Sequence, residues 1–256
     1  MKALVSIITP LYNSEKFIAQ TISSVEKQTY QYWELIIIDD ASQDESVKKA
    51  EEFSSINPKI KLVKLPENKG AAYCRNYATK LAKGDYIAFL DADDLWHPQK
   101  LEKQLVFMEK NNCDVSYSSY LQIDENGNSL QKRIKALPLL SYKKQHTNNY
   151  IGNLTGIYNT SVLGKIMAPK LRKRQDWAVW LEAIKRSKKP ALGLQEDLAY
   201  YRVRKGSVSA NKLKLIKYNF RFYREYLGHS YIASVYYLFR FFWEYFLVRP
   251  QQIEEL

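Results

Sequence analysis

Apolar positions in the first hundred residues alternate between two spacings. Short continuous runs at 3–9 (ALVSIIT), 34–39 (ELIIID), 59–65 (KIKLVKL) and 85–90 (DYIAFL) read as buried strands. Between them, Phe17, Ile18, Ile22 and Val25 fall on one helical face, with Ser14 as the expected N-cap. Val47, Ala50 and Phe53 mark a second helix, and Ala71, Ala78 and Leu81 a third. The order β-α-β-α-β-α-β predicts an α/β fold, a mostly parallel sheet covered by helices on both faces. In such a sheet ligands bind beyond the carboxyl ends of the strands.

That rule selects which residues share a site. The four strands end at 9–13 (TPLYN), 39–42 (DDAS), 66–70 (PENKG) and 91–94 (DADD). Asp39, Asp40, Asp91, Asp93 and Asp94 would then crowd one edge and repel one another unless a cation or several donors offset the charge. Magnesium or manganese is the simplest offset, since either takes one or two carboxylates and fills its other positions with water and phosphate oxygens. Alternate residues of an extended segment point the same way, so Asp91 and Asp93 can converge on one ion. Capping of the turn is the other reading of the same acidic run.

Farther on, Trp177, Trp180, Leu181 and Ile184 recur at the i, i+3, i+4, i+7 spacing of a core-facing helix. Asp176 stands just before them, as an N-cap or as a carboxylate held at a helix N-terminus. Past residue 210 the chain becomes dense in aromatic residues flanked by Lys and Arg, and the run 230–248 is interrupted by Arg240 and Glu244. It suits a helix lying at a membrane interface, or one packed on the domain or on a second copy as a homodimer contact.

Composition narrows the class. A chain of 256 residues, 46% hydrophobic with 9 Gly and 8 Pro, buries a large core and is not disordered. Its two cysteines form no disulfide framework, and its start lacks the pattern of a secretion signal, so a cytoplasmic location is expected. The sequon at Asn153 then carries no meaning. The net charge of +12 is uneven: residues 1–164 carry 20 Lys and Arg against 19 Asp and Glu, and residues 165–256 carry 19 against 8. The basic half is expected to meet something anionic: nucleic acid, a membrane surface or a phosphorylated substrate. The three histidines, His97, His146 and His229, are scattered and are assigned no role.

Five segments in order, VSIITPLYN, QTYQYWELIIIDDASQDES, ENKGAAYCRNYA, GDYIAFLDADDLWHPQKL and RQDWAVWL, resemble the inverting nucleotide-sugar glycosyltransferases of the GT-A fold (family 2 type), specifically bacterial polysaccharide-assembly members. The resemblance covers roughly residues 3–209. It implies a GT-A domain over 1–210, with a nucleotide-sugar half at 1–96 and an acceptor half at 97–210, followed by a helical, aromatic-rich, basic tail at 211–256.

The resemblance also implies roles. Tyr12 stacks on the nucleobase with Pro10 shaping the turn, Asp40 accepts the pyrimidine N3–H with Asp39 supporting its loop, and Arg75 lies near the nucleotide. Asp91 meets the ribose or a metal-bound water and Asp93 ligates Mn2+ or Mg2+; the resemblance gives Asp94 no role, and by its position it is expected only to cap a helix starting near His97. Asp176 is the base. Many relatives carry a histidine where this chain has Arg204, which cannot ligate a metal and is expected to clamp the diphosphate with Lys205 and Ser207. The implied donor is a UDP-sugar. The implied acceptor is a polyprenyl-diphosphate-linked saccharide at the inner face of the plasma membrane, in teichuronic-type, O-antigen or capsule synthesis. Two other classes also gather such residues: a receiver-like or phosphatase-like phosphoryl-transfer domain, and a basic nucleic-acid-binding module, which is not expected here.

Overall fold

The computed structural model describes residues 3–171, 173–204 and 212–256. The chain begins β1 (Val5–Leu11), α1 (Ile18–Glu26), β2 (Trp33–Asp39), α2 (Ser46–Ser54), β3 (Ile60–Lys64), α3 (Ala71–Leu81) and β4 (Tyr86–Phe89). These four strands pair in parallel in the order β3-β2-β1-β4. β2 and β4 are apolar at nearly consecutive positions because both faces are covered, whereas β3, expected to be buried, is the edge strand and leaves Lys61 and Lys64 exposed. Leu35 and Ile37 join Ile18, Ile22 and Ala50 on one side, whereas Ile36 and Ile38 join Cys74, Ala78 and Trp180 on the other.

The second half continues β5 (Leu95–Trp96), α4 (Lys100–Lys110), β6 (Val115–Ile123), β7 (Ser129–Ile134), β8 (Leu139–Leu140), α5 (Tyr142–Thr147), a 3-10 turn at Asn153–Thr155, β9 (Ile157–Asn159), α6 (Thr160–Leu163), α7 (Gln175–Ser187) and β10 (Ala191–Arg202). Here the sheet is mixed rather than mostly parallel. β9 runs antiparallel to β4 and β6, and β7 antiparallel to β6, while β10 is parallel to β6. For β7 the physical reason lies in its connection. A tight turn joins β6 to β7, with the Asp124 carboxylate accepting from the N–H groups of Asn126 and Asn128 at 2.8 Å each, and such short links permit only antiparallel neighbours.

The C-terminal segment forms α8 (Lys212–Arg221), a π-helical turn (Phe222–Tyr226), α9 (Tyr231–Trp243), a second π-helical turn (Glu244–Val248), a 3-10 turn (Arg249–Gln252) and β11 (Ile253–Glu255), which pairs with β7. Phe222, Tyr223 and Phe241 pack on Trp177, Ala178 and Leu181 of α7. One face of this segment therefore belongs to the core.

Two local expectations change. Ser14 does not cap α1: its carbonyl accepts from Phe17 and Ile18 in a turn ahead of the helix, which starts at Ile18. Asp94 does not cap α4, which starts at Lys100; it is buried and accepts the backbone N–H of Arg202 at 2.9 Å. A buried carboxylate takes the nearest unpaired donor, and the end of β10 supplies it.

Candidate active site

A cleft of about 580 Å³ opens at the carboxyl ends of β1, β2 and β4 and runs to the start of α7. Pro10, Tyr12, Asp40, Arg75, Asp91, Asp93, Asp176 and Arg204 all line it. On one wall Tyr12 is exposed, on a loop fastened by Asn13, whose N–H donates to Ser42 Oγ (3.0 Å) and whose side-chain oxygen accepts from Gln43 N (2.8 Å). Asp40 is buried, its carboxylate accepting the N–H groups of Lys69 (2.7 Å) and Gly70 (2.9 Å). Gly70 has φ +85°, a conformation that suits glycine and aims these amides at Asp40. Asp39 accepts from Ser42 N at 3.2 Å, supporting the same loop.

The acidic loop after β4 sorts into three environments. Asp91 Oδ1 accepts from Arg75 Nη2 at 2.6 Å and from Asn153 Nδ2 at 3.4 Å. Asp93 pairs with Arg204 Nε at 2.8 Å. Burial, and then the neighbouring charge of Asp91, hold the Asp93 carboxyl above the ordinary carboxylate range, against the pull of Arg204. Asp94 is raised farther, again by burial first and then by Asp93 and Asp91. Arg202 braces the loop: its Nε donates to Asp93 O (2.8 Å), its Nη1 to Glu125 O (2.9 Å) and its Nη2 to Gln20 Oε1 (2.8 Å).

Across the cleft, Asp176 is the second residue of α7, inside the first turn rather than at its cap; Arg174, at φ +70°, is the residue preceding the helix. Asn149 Nδ2 donates to Asp176 Oδ2 at 2.8 Å. The Asn149 side-chain oxygen in turn accepts from Gln145 (2.9 Å), and its backbone carbonyl accepts from Arg249 in the C-terminal segment. Arg75 joins the two walls, reaching Gln175 Oε1 at 3.5 Å as well as Asp91.

Asn149 and Arg202 were given no role from the sequence, and Asn153 was noted only as part of a sequon without meaning; the one available signal was the Tyr-Arg pair at 201–202. Lys205 and Ser207, expected beside Arg204, lie outside the described residues. His146 and His229, far apart in sequence, meet with their Nε2 atoms 3.0 Å apart.

Among the described residues no three His, Cys, Asp or Glu side chains converge as a metal cage. Asp94 is committed to Arg202, leaving Asp93 with Asp91 beside it. One or two hard oxygens fit magnesium or manganese, which draw remaining ligands from water and phosphate, and do not fit a structural zinc site.

The profile of Glycosyl transferase family 2 matches residues 6–169. A Bacillus subtilis (strain 168) protein named for teichuronic acid biosynthesis, the glycosyltransferase TuaG, is 42% identical over 224 residues, 88% of each chain. The Escherichia coli protein WfgD, named UDP-Glc:alpha-D-GlcNAc-diphosphoundecaprenol beta-1,3-glucosyltransferase, is 39% identical over 93% of this chain and 92% of its own. Among solved structures, S. aureus TarS in complex with UDP-GlcNAc superposes with a TM-score of 0.74 at 22% identity, covering 98% of this chain and 74% of that one. The mannosyltransferase PcManGT of Pyrobaculum calidifontis, in complex with GDP-Man and Mn2+, gives 0.69 at 15%, covering 98% and 72%. The fold is GT-A, as the ordered motifs implied, and the receiver-like and nucleic-acid-binding readings fall away. The chain belongs to glycosyl transferase family 2 and is a glycosyltransferase.

Proposed function

We propose that the protein is a metal-assisted, inverting glycosyltransferase that moves a sugar from a UDP-sugar to a hydroxyl of a polyprenyl-diphosphate-linked saccharide during bacterial surface polysaccharide synthesis. One observation carries the reading: a single cleft holds Tyr12 and Asp40, the Asp91–Asp93 pair and, facing them, Asp176. The names of TuaG and WfgD support the polymer class, the UDP donor and the lipid-linked acceptor.

In this mechanism Tyr12 stacks on the uracil, since an aromatic face accepts any base. Asp40 holds a backbone N–H on each oxygen and has lone pairs left for the uracil N3–H. Asp91, fixed by Arg75, faces the ribose. Asp93 would hold Mn2+ or Mg2+, which when bound neutralises charge on the departing diphosphate. Arg204 leaves Asp93 to clamp that diphosphate, doing with a fixed charge what a histidine does in many relatives. Asp176 takes the proton of the acceptor hydroxyl as the oxygen attacks the anomeric carbon from the face opposite the nucleotide, and the configuration inverts. Asn149 keeps the carboxylate aimed.

The donor half then spans 1–96 and the acceptor half 97–210, with 211–256 as the segment nearest the lipid. The protein works at the inner face of the plasma membrane as a peripheral protein. No described helix is long and apolar enough to cross a membrane.

Thermal melting with UDP and manganese tests the donor site. Both together raise the melting temperature of the native protein, and Asp93→Ala abolishes the increase. A native melting curve unmoved by UDP-manganese but raised by GDP- or dTDP-manganese would overturn the UDP assignment.

A further inference from the structure

The outer face of α9 carries an apolar row that the catalytic cleft does not use. Ile232, Tyr236, Phe239 and Trp243 recur at i, i+4, i+7 and i+11 and are 82%, 54%, 71% and 60% exposed. Phe246 and Leu247 prolong the row at 57% and 51%. On the opposite face Ser234 and Phe241 are buried, and Tyr237 packs on His146, Tyr223 and His229. The helix has thus already spent one face on the domain, and the outer row is a second, separate apolar surface of the kind that marks an interaction site.

Cations border this row. Arg240 is half-exposed on its flank, 3.9 Å from buried Glu244. At the start of α9, Phe220 packs on Tyr231 with ring centres 5.5 Å apart, and Arg224 donates to His229 O at 2.9 Å. That brings exposed Arg224 and Arg221 alongside, Arg221 being paired with Glu225 at 3.3 Å. These residues lie in the half of the chain with 19 Lys and Arg against 8 Asp and Glu.

We infer that this row is the surface by which the protein docks on an anionic lipid bilayer, with α9 lying in the membrane plane. The inference rests on the lipid-linked acceptor proposed above and assigns the residues that meet the lipid. No described helix is long and apolar enough to span a bilayer, Arg240 and Glu244 interrupt the apolar run, and Tyr and Trp beside cations suit the headgroup level. A second copy is the competing cover, but a two-fold contact on this row would bring the bordering arginines of both copies, Arg221, Arg224 and Arg240, to one interface, whereas an anionic surface matches them. Behind the row, Phe241 meets the Arg174 guanidinium at 5.5 Å, and Arg174 lines the cleft. The lipid-facing helix therefore backs onto the wall that begins α7 and carries Asp176.

Flotation of the full chain with vesicles tests the surface. The native protein floats with phosphatidylglycerol-containing vesicles and about tenfold less with phosphatidylcholine alone or in about 0.5 M salt, where surface charge is screened. The double variant Phe239→Ser, Trp243→Ser loses flotation while keeping its melting temperature and its UDP-manganese shift. Equal flotation of native and variant, or no flotation of the native protein, overturns the inference. So does a native dimer by sedimentation that becomes monomeric in the variant without any vesicle binding. Flotation intact with no nucleotide shift would instead overturn the donor reading and leave the surface standing.

Discussion

Arg204 Nε lies 2.8 Å from Asp93 Oδ2, so an internal cation occupies the carboxylate that we propose holds the metal. The same guanidinium and that of Arg202 lie over the Phe17 ring, 5.6 and 4.9 Å from its centre, which confines both to the cleft mouth. Arg204→Ala should free Asp93. A charge-assisted hydrogen bond contributes about 1.5–3 kcal/mol, less at a partly exposed site, so manganese alone should bind about fivefold tighter to the variant. UDP in the presence of manganese should bind more weakly, because the diphosphate loses its clamp. Manganese titration followed by electron paramagnetic resonance reads the first effect, and an unchanged affinity would remove Arg204 as a competitor.

Asp176→Asn preserves shape and the neighbouring helix but cannot take a proton. General-base catalysis typically contributes about 10²–10⁴-fold, and transfer should fall by that factor. The UDP-manganese melting shift should persist, since the donor wall is untouched. Near-native turnover in this variant would remove Asp176 as the base.

Asn149 touches Asp176 at 2.8 Å and is held from behind by Gln145 and Arg249, so it positions the carboxylate. With Asn149→Ala, kcat should drop about tenfold, the scale of one hydrogen bond to a charged group, with the donor KM unchanged. A matching rise in donor KM would show instead that the whole cleft had shifted. Arg249→Ala should reproduce part of the kcat loss from outside the cleft.

Burial, and next the adjacent His229, push the His146 imidazole from its ordinary 6.5 down to about 4. Tyr142, Tyr223 and Tyr237 are the other rings around it. The native fold therefore keeps His146 neutral while the unfolded chain takes up a proton below about 6.5. Stability should decline as pH falls from about 6.5 to about 4, with no further loss from this group below that. Chemical denaturation across this range should show a shallower decline for His146→Phe than for the native protein; parallel curves would contradict the assignment.

A Cβ at Gly156 would lie 2.3 Å from two ring carbons of Trp180, itself fully buried and edge-on to Phe89 and Tyr158. Neither ring nor backbone can yield there. Gly156→Ala should cost about 1–3 kcal/mol or more by overpacking, measured by urea unfolding.

The sequence by itself determined the parallel half of the sheet and the contents of the cleft. Continuous runs such as Leu35–Ile38 need cover on both faces, and strands so covered present their carboxyl ends to one edge. Pro10, Tyr12, Asp40, Arg75, Asp91 and Asp93 follow from that rule and from the ordered motifs, and Asp176 and Arg204 from the family pattern. Tertiary structure decided what these groups touch. Asp94, expected only to cap a helix, and Arg202, given no role beforehand, are joined because β10 ends beside the acidic loop. Asn149 reaches Asp176, and His146 reaches His229, through the packing of α5, α7 and the C-terminal segment. The tail divided its aromatic residues between a core face around Trp177 and an outward row. Local spacing records which residues share a strand or helix face. Which faces are left over, and which distant donors meet a buried carboxylate, depends on how the elements close on one another.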